Sequence, residues 1–122
     1  MKVAVTAMGK DLGAAVDPRF GRARYFIVVD TESEDFEVLD NEQNLNAAQG
    51  AGIQSARNVS ESGADALITG NCGPRAFATL SAAGIKVYIG ATGTVAQAVE
   101  ALKAGELQAA DDPNVQAHWG GP

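Results

Sequence analysis

Apolar and polar positions change their rhythm twice along this chain. Lys2–Ala7, KVAVTA, sets valines at alternate positions and reads as a strand. Residues 8–23, MGKDLGAAVDPRFGRA, carry Gly, Asp and Pro without a period and read as a loop. Residues 24–30, RYFIVVD, are a near-continuous apolar run, as in a strand buried on both faces. TESED makes a polar turn and FEVLD (36–40) alternates again, so the two runs predict an antiparallel hairpin. The polar stretch NEQNLN leads onward.

From there the period becomes helical. Residues 47–62 are Ala-rich, with Ile53, Ala56 and Val59 at helical spacing. Gly63 supplies the left-handed stop. DALIT (65–69) is a short apolar strand. Pro74 suits the first turn of a helix, where its missing N–H costs nothing. That helix carries Phe77 and Leu80 inward and stops at Gly84, before the strand IKVYIG (85–90). Thr94 and Gln97 have the spacing of a capping box. Val95, Val99 and Leu102 then line one helix face, and Gly105 ends it. The order β-β-β-α-β-α-β-α predicts an α/β fold: a mixed five-stranded sheet with flanking helices and right-handed crossovers. The tail DDPNVQAHWGGP has no period, so the expected boundaries are a domain over 1–108 and a flexible tail over 109–122.

Composition narrows the function classes. The chain has 122 residues, 46% of them apolar, enough for one domain with a core. Its net charge of −6 argues against unspecific binding to nucleic acid or to anionic membrane. No run approaches the length of a membrane span, and the N-terminus lacks a signal-peptide pattern. One cysteine cannot form an internal disulfide. A soluble cytoplasmic protein is expected.

The charge is uneven. Seven acids and no base lie between Asp30 and Glu42, which suits a solvated hairpin. Lys10, Arg19, Arg22 and Arg24 face only Asp11 and Asp17 in the loop before it. In an open sheet, ligands bind beyond the carboxyl ends of parallel strands. Three Gly-rich segments reach that edge: the long loop, GNCGP (70–74) and GATGT (90–94). The last two each lead into a helix N-terminus, whose N–H groups and dipole favour an anion. Each could equally be a plain turn. Neither is a P-loop or a dinucleotide fingerprint. Alternation predicts that at most two of the three arginines face the edge.

Cys72 lies just before a helix start, where the dipole lowers a thiol pKa and favours soft-metal ligation. It admits three readings: a turn residue without chemistry, a thiol touching a bound cluster, or a nucleophile. The third lacks a nearby base, because the only histidine, His118, sits in the tail. His118 is either solvated or a weak metal ligand. No C-x-x-C exists to suggest a structural zinc.

KVAVTAMGKDLGAAVDPRFGRARYFIVVD, GAGIQSA and GADALITGNCGPRAFATLSAAGIKVYIGATGTVAQAVEAL together resemble the dinitrogenase iron–molybdenum cofactor biosynthesis family. This is the group of NifX- and NafY-like carriers and their small single-domain relatives. The resemblance spans roughly residues 2–108, and RFGR, GPRAF and GATGT are its distinctive pieces. It implies a ribonuclease H-like α/β domain that is a carrier and not an enzyme. The implied cargo is an anionic metal–sulfur cluster: an iron–molybdenum cofactor precursor, or, in the orange-protein branch, a molybdenum–copper sulfide cluster held non-covalently. Cluster donor and acceptor proteins are the implied partners, and a monomer or weak dimer is expected. The expected cofactor-binding positions are Met8, Arg19, Phe20, Gly21, Arg22, Asn71, Cys72, Gly73, Thr92 and Gly93. Charge and N–H···S contacts would hold such a cluster, with Met8 adding a polarizable surface. A metal-free regulatory module for a small anionic metabolite is the alternative. A nuclease of this fold would need carboxylates at strand ends to hold divalent ions. KVAVTA has none, and Asp65 begins its strand instead of ending it, so nuclease chemistry is rejected.

Overall fold

The computed structural model describes residues 1–41 and 51–110. Five strands and three helices follow in the expected order: β1 (Lys2–Ala7), β2 (Tyr25–Asp30), β3 (Phe36–Asp40), α1 (Ala51–Glu61), β4 (Ala66–Ile68), α2 (Pro74–Ala82), β5 (Lys86–Tyr88) and α3 (Val95–Lys103). The expected polar connection after β3, apart from Asn41, and the first residues of the helix placed at 47–62 lie outside the described residues.

The sheet order is β3-β2-β1-β4-β5. β1, β2 and β3 form an antiparallel meander, with Lys2 opposite Asp30 and Val29 opposite Phe36. β4 joins the other side of β1 in parallel, and β5 joins β4 in parallel. The hairpin is antiparallel because a short turn can only reverse the chain. The later strands are parallel because each is reached through a helix. The sheet is thus mixed, and its parallel half, β1-β4-β5, sets the carboxyl-end edge.

Period-two alternation divides the core into two layers. Ala4, Phe26, Val28, Leu67 and Val87 point to α1 and α2, where they meet Ala56, Val59 and Leu80. Val3, Val5, Ile27, Val29 and Ile68 point to the other face and meet Val95, Ala98 and Val99 of α3. Each fully buried Leu or Ile contributes about 1.5–3 kcal/mol of transfer energy, so these two layers hold the sheet between its helices. β2 is buried along its middle, as its unbroken apolar run requires.

α2 ends as its sequence predicts. Gly84 takes φ +80, a left-handed value that a side chain would resist, and the Ile85 N–H reaches back to the Leu80 carbonyl at 3.0 Å. Backbone pairing continues past residue 108. Ala109 bridges Tyr88, and the Ala110 N–H donates to the Val87 carbonyl at 2.7 Å, so β5 is not a bare edge there. No helix among the described residues is long and apolar enough to cross a membrane.

Candidate functional site

The long loop after β1 returns to the strand it left. The Asp17 N–H donates to the Thr6 carbonyl at 2.9 Å, and the Thr6 hydroxyl donates to the Asp17 carbonyl at 2.7 Å. The Thr6 hydroxyl is also hydrogen-bonded to that of Thr69, at 2.9 Å, just beyond β4. All three residues are buried. The ends of two parallel strands and the loop are therefore fixed at one polar point, where a missing partner would leave a costly unsatisfied group.

From that point the loop lays Arg19 against the turn before α2. The Asp17 carboxylate accepts the Arg19 backbone N–H at 2.9 Å and lies 3.5 Å from its Nε. The Arg19 side chain is 63% exposed, so this ion pair orients the guanidinium and adds little stability. Arg19 bridges Asn71 in parallel, the Asn71 side-chain amide donates to the Pro18 carbonyl at 3.0 Å, and the Phe20 N–H donates to the Asn71 carbonyl at 3.2 Å. This close passage requires Gly70: a Cβ there would meet Pro18 Cα at 2.7 Å and its carbonyl oxygen at 2.9 Å. The Phe20 ring turns inward against Phe26, centroids 5.4 Å apart, and anchors the loop in the core.

A third clamp holds the end of the loop. Asn41, fully buried just past β3, donates its side-chain amide to the Ala23 carbonyl at 2.8 Å and its backbone N–H to the Arg24 carbonyl at 2.9 Å. Ser55 of α1 donates to the Asn41 side-chain oxygen at 3.2 Å. Asn41 carries no signal of this role in the sequence. A single Asn after a strand looks like a turn residue, and nothing local reveals that it is buried.

These clamps bring the basic residues together. Met8, Asp17, Arg19, Arg22 and Arg24 line one hollow of about 410 Å³. All three arginines take part, which corrects the expectation that alternation would turn one away. Residues two apart share a face in a strand, so alternation gives no reason to part Arg22 from Arg24, and both lie in the turn before β2, which starts at Tyr25. Lys10, the remaining base of the segment, sits instead over the Tyr25 ring, 5.4 Å from its centre. A second, more apolar hollow of about 520 Å³ is lined by Arg19, Phe20, Gly21, Gly52, Asn71, Gly73, Pro74, Arg75 and Ala76. Arg19 is the wall common to both.

The two helix starts at this edge differ. α2 has Gly73 at its N-cap, with no side chain to cap it, and Pro74 at its first position. α3 is closed by its capping box: Gln97 Oε1 accepts the Thr94 N–H at 2.9 Å and Thr94 Oγ1 accepts the Gln97 N–H at 3.1 Å. The loop takes the rest, as Val95 and Ala96 each donate at 2.9 Å, to Ala14 and Leu12. The expectation of an anion site at both starts is thus corrected: only the α2 start keeps N–H groups free of a side-chain cap. Thr92 and Gly93 are exposed on the turn before α3 but line neither hollow, and the Gly93 carbonyl accepts from Val16 at 2.9 Å.

Cys72 does not present a thiolate. It is 1% exposed and belongs to the core layer under α1 and α2. Burial pushes its thiol up to about 12 from an ordinary 9.0, because a charge there would lose its water. The helix-start argument for a lowered pKa fails on that desolvation. Among the described residues, no three of His, Cys, Asp and Glu converge as a metal-binding group. His118 lies outside the described residues.

Of the expected site residues, the fold thus gathers Met8, Arg19 and Arg22 at one hollow and Arg19, Phe20, Gly21, Asn71 and Gly73 at its neighbour. Known proteins share this architecture. The apo form of the orange protein from Desulfovibrio gigas is 46% identical, covers 93% of this chain and 95% of its own, and superposes with a TM-score of 0.91. A Thermotoga protein of the DUF35 family, provisionally described as a NifB protein, is 42% identical over 88% of this chain and 91% of its own, with a TM-score of 0.77. An uncharacterised protein of Methanocaldococcus jannaschii is 29% identical over 96 residues, or 76% of this chain and 80% of its own. A family model described as "Dinitrogenase iron-molybdenum cofactor" matches residues 1–105, and the chain belongs to that family.

Proposed function

We propose that this protein is a non-enzymatic carrier that holds an anionic metal–sulfur cluster at the hollow of Met8, Arg19, Arg22 and Arg24. The observation that carries this reading is the gathering of three guanidinium groups around one hollow in a chain of net charge −6. Such a concentration of cation, against the overall charge, suits an anionic cargo. Guanidinium groups are weakly hydrated and offer several N–H donors in a fixed plane, which fits sulfide-rich surfaces as well as oxyanions. Met8 adds an exposed, polarizable thioether. With Cys72 buried and protonated, the donor set favours capture by charge and N–H···S contacts over thiolate ligation. The cargo is a molybdenum–copper sulfide cluster or an iron–molybdenum cofactor precursor, and it passes between donor and acceptor proteins.

The more apolar hollow at the α2 start supports a second reading, a module for a small anionic metabolite with an apolar body. Metal and acid-labile sulfide analysis, with an absorption spectrum, of protein isolated anaerobically separates the two. Molybdenum with sulfide and visible bands supports the carrier. Colourless, metal-free protein that also fails to take up tetrathiomolybdate and copper in vitro supports the module. Replacing Arg19 and Arg22 together by Ala is expected to lower tetrathiomolybdate affinity by about tenfold or more, from the loss of two charge-assisted donors. Unchanged uptake by the double variant would sink the site assignment.

A further inference from the structure

The chain contains three sulfur atoms, in Met1, Met8 and Cys72, and the fold treats them differently. Cys72 is sealed in the core. Met1 is 47% exposed at the start of β1, where its carbonyl accepts from Thr31, at the end of the sheet away from the arginines. Met8 is 57% exposed, the most exposed large apolar side chain among the described residues, and it lines the arginine hollow. Core packing does not explain a methionine there. Its backbone is held in place, since the Met8 N–H donates to the Ala15 carbonyl at 2.9 Å. That bond fixes where the side chain starts, at the wall of the hollow.

We propose that Met8 is an oxidation site, and that its conversion to the sulfoxide by a peroxide switches anion uptake off at the arginine hollow. The inference rests on the carrier reading for what is taken up. The step balances simply. The sulfur lone pair attacks one oxygen of hydrogen peroxide, the O–O bond breaks, an S–O bond forms, and the other oxygen leaves as hydroxide, which takes the proton of the transferred hydroxyl and becomes water. Sulfur gives up two electrons and the peroxide accepts them.

The neighbourhood turns this small change into a large one. A thioether is a weak acceptor, whereas a sulfoxide oxygen is a strong one. Besides Met8, the hollow is lined by Arg19, Arg22 and Arg24, whose guanidinium groups are donors only, and by Asp17, the one acceptor side chain, which is paired with Arg19. The new oxygen is an intramolecular competitor for the N–H groups that would otherwise hold the anion. Oxidation also removes the one accessible soft donor of the hollow, because Cys72 is buried. Both effects act in the same direction.

The test uses hydrogen peroxide as oxidant and tetrathiomolybdate as probe, with the whole chain. Peptide mass mapping locates the added oxygen, and binding is measured before and after. The expected result is oxidation at Met8 and Met1 with Cys72 spared, and a fall in affinity of about tenfold, the equivalent of one charge-assisted hydrogen bond. Methionine sulfoxide reductases should restore binding. Met8→Leu, whatever its starting affinity, should be insensitive to peroxide even though Met1 is still oxidised. Oxidised Met8 with unchanged affinity, or equal sensitivity in Met8→Leu, would overturn the inference. So would Met8 resisting peroxide while Met1 reacts. If the unoxidised protein fails to bind the probe at all, the carrier reading falls, and the switch falls with it.

Discussion

The turns before α2 and α3 look alike in sequence and behave oppositely in the fold. GNCGP and GATGT each follow a short parallel strand and each open a nine-residue helix. At α3, Thr94, Gln97 and the carbonyls of Leu12 and Ala14 take up the first N–H groups. At α2, glycine holds the cap position and proline the next, so no side chain intervenes. One turn is a fastening for the long loop. The other has no side-chain cap and lies beside Arg19 at the second hollow. A Gly-rich turn at a sheet edge is thus ambiguous until the residue at the cap position is considered.

The largest test of this contrast concerns Cys72, inside the open turn. The shift of its thiol from 9.0 to about 12 lowers the thiolate fraction roughly a thousandfold near neutral pH. Iodoacetamide should therefore alkylate Cys72 at least that much more slowly in the folded protein than in urea. Comparable rates would mean that the turn opens and exposes the thiol. The buried thiol favours the folded state fully below pH 9.0, and that contribution is lost as the pH rises through about 12.

Next in size is Gly70→Ala, at the point where the open turn passes the loop. A methyl group would press on the backbone of Pro18, which cannot move without pulling Asp17 and Arg19 with it. A loss of about 1–3 kcal/mol is expected from the urea midpoint, as for other overpacked sites. Wild-type stability would show that the loop can drift away from the turn.

The smallest effects come from exchanging the caps. Thr94→Ala should cost about 1 kcal/mol by removing the capping box. Gly73→Asp should gain only a few tenths of a kcal/mol, because Gly73 already has the extended geometry of a cap, φ −76 and ψ 170. It should also weaken tetrathiomolybdate binding by placing a carboxylate at the helix start. A Gly73→Asp protein that binds as well as wild type would mean that the α2 start plays no part.

The sequence carried most of the architecture because that information is local. The switch from period two to period three or four marked the strands and helices. Gly84 and the Thr94–Gln97 pair marked their ends. The site was legible as a set of residue types and much less as an arrangement. The dipole argument at Cys72 needed only its neighbours in sequence. The burial that overrides it comes from residues as distant as Phe26 and Leu80, which share its core layer. Likewise Arg24 joins Arg22 at one hollow because the chain there is bent and pinned by Asn41, a contact between residues 18 apart. No periodicity encodes such a clamp.

The fastening at α3 also has a consequence for the order of assembly. The loop that carries Met8 and Arg19 is written near the beginning of the chain, yet the hydrogen bonds that fix its first half lead to Gly93, Val95 and Ala96. During synthesis those partners emerge among the last of the described residues. Contacts so far apart in sequence form late, since the intervening chain must be ordered first. The stretch from Leu12 to Val16 is therefore among the last parts of the loop to be fastened, and a nascent chain lacking α3 can hold Arg19 at Asn71 and Ala23 at Asn41 while the Met8 end of the loop is still unfastened.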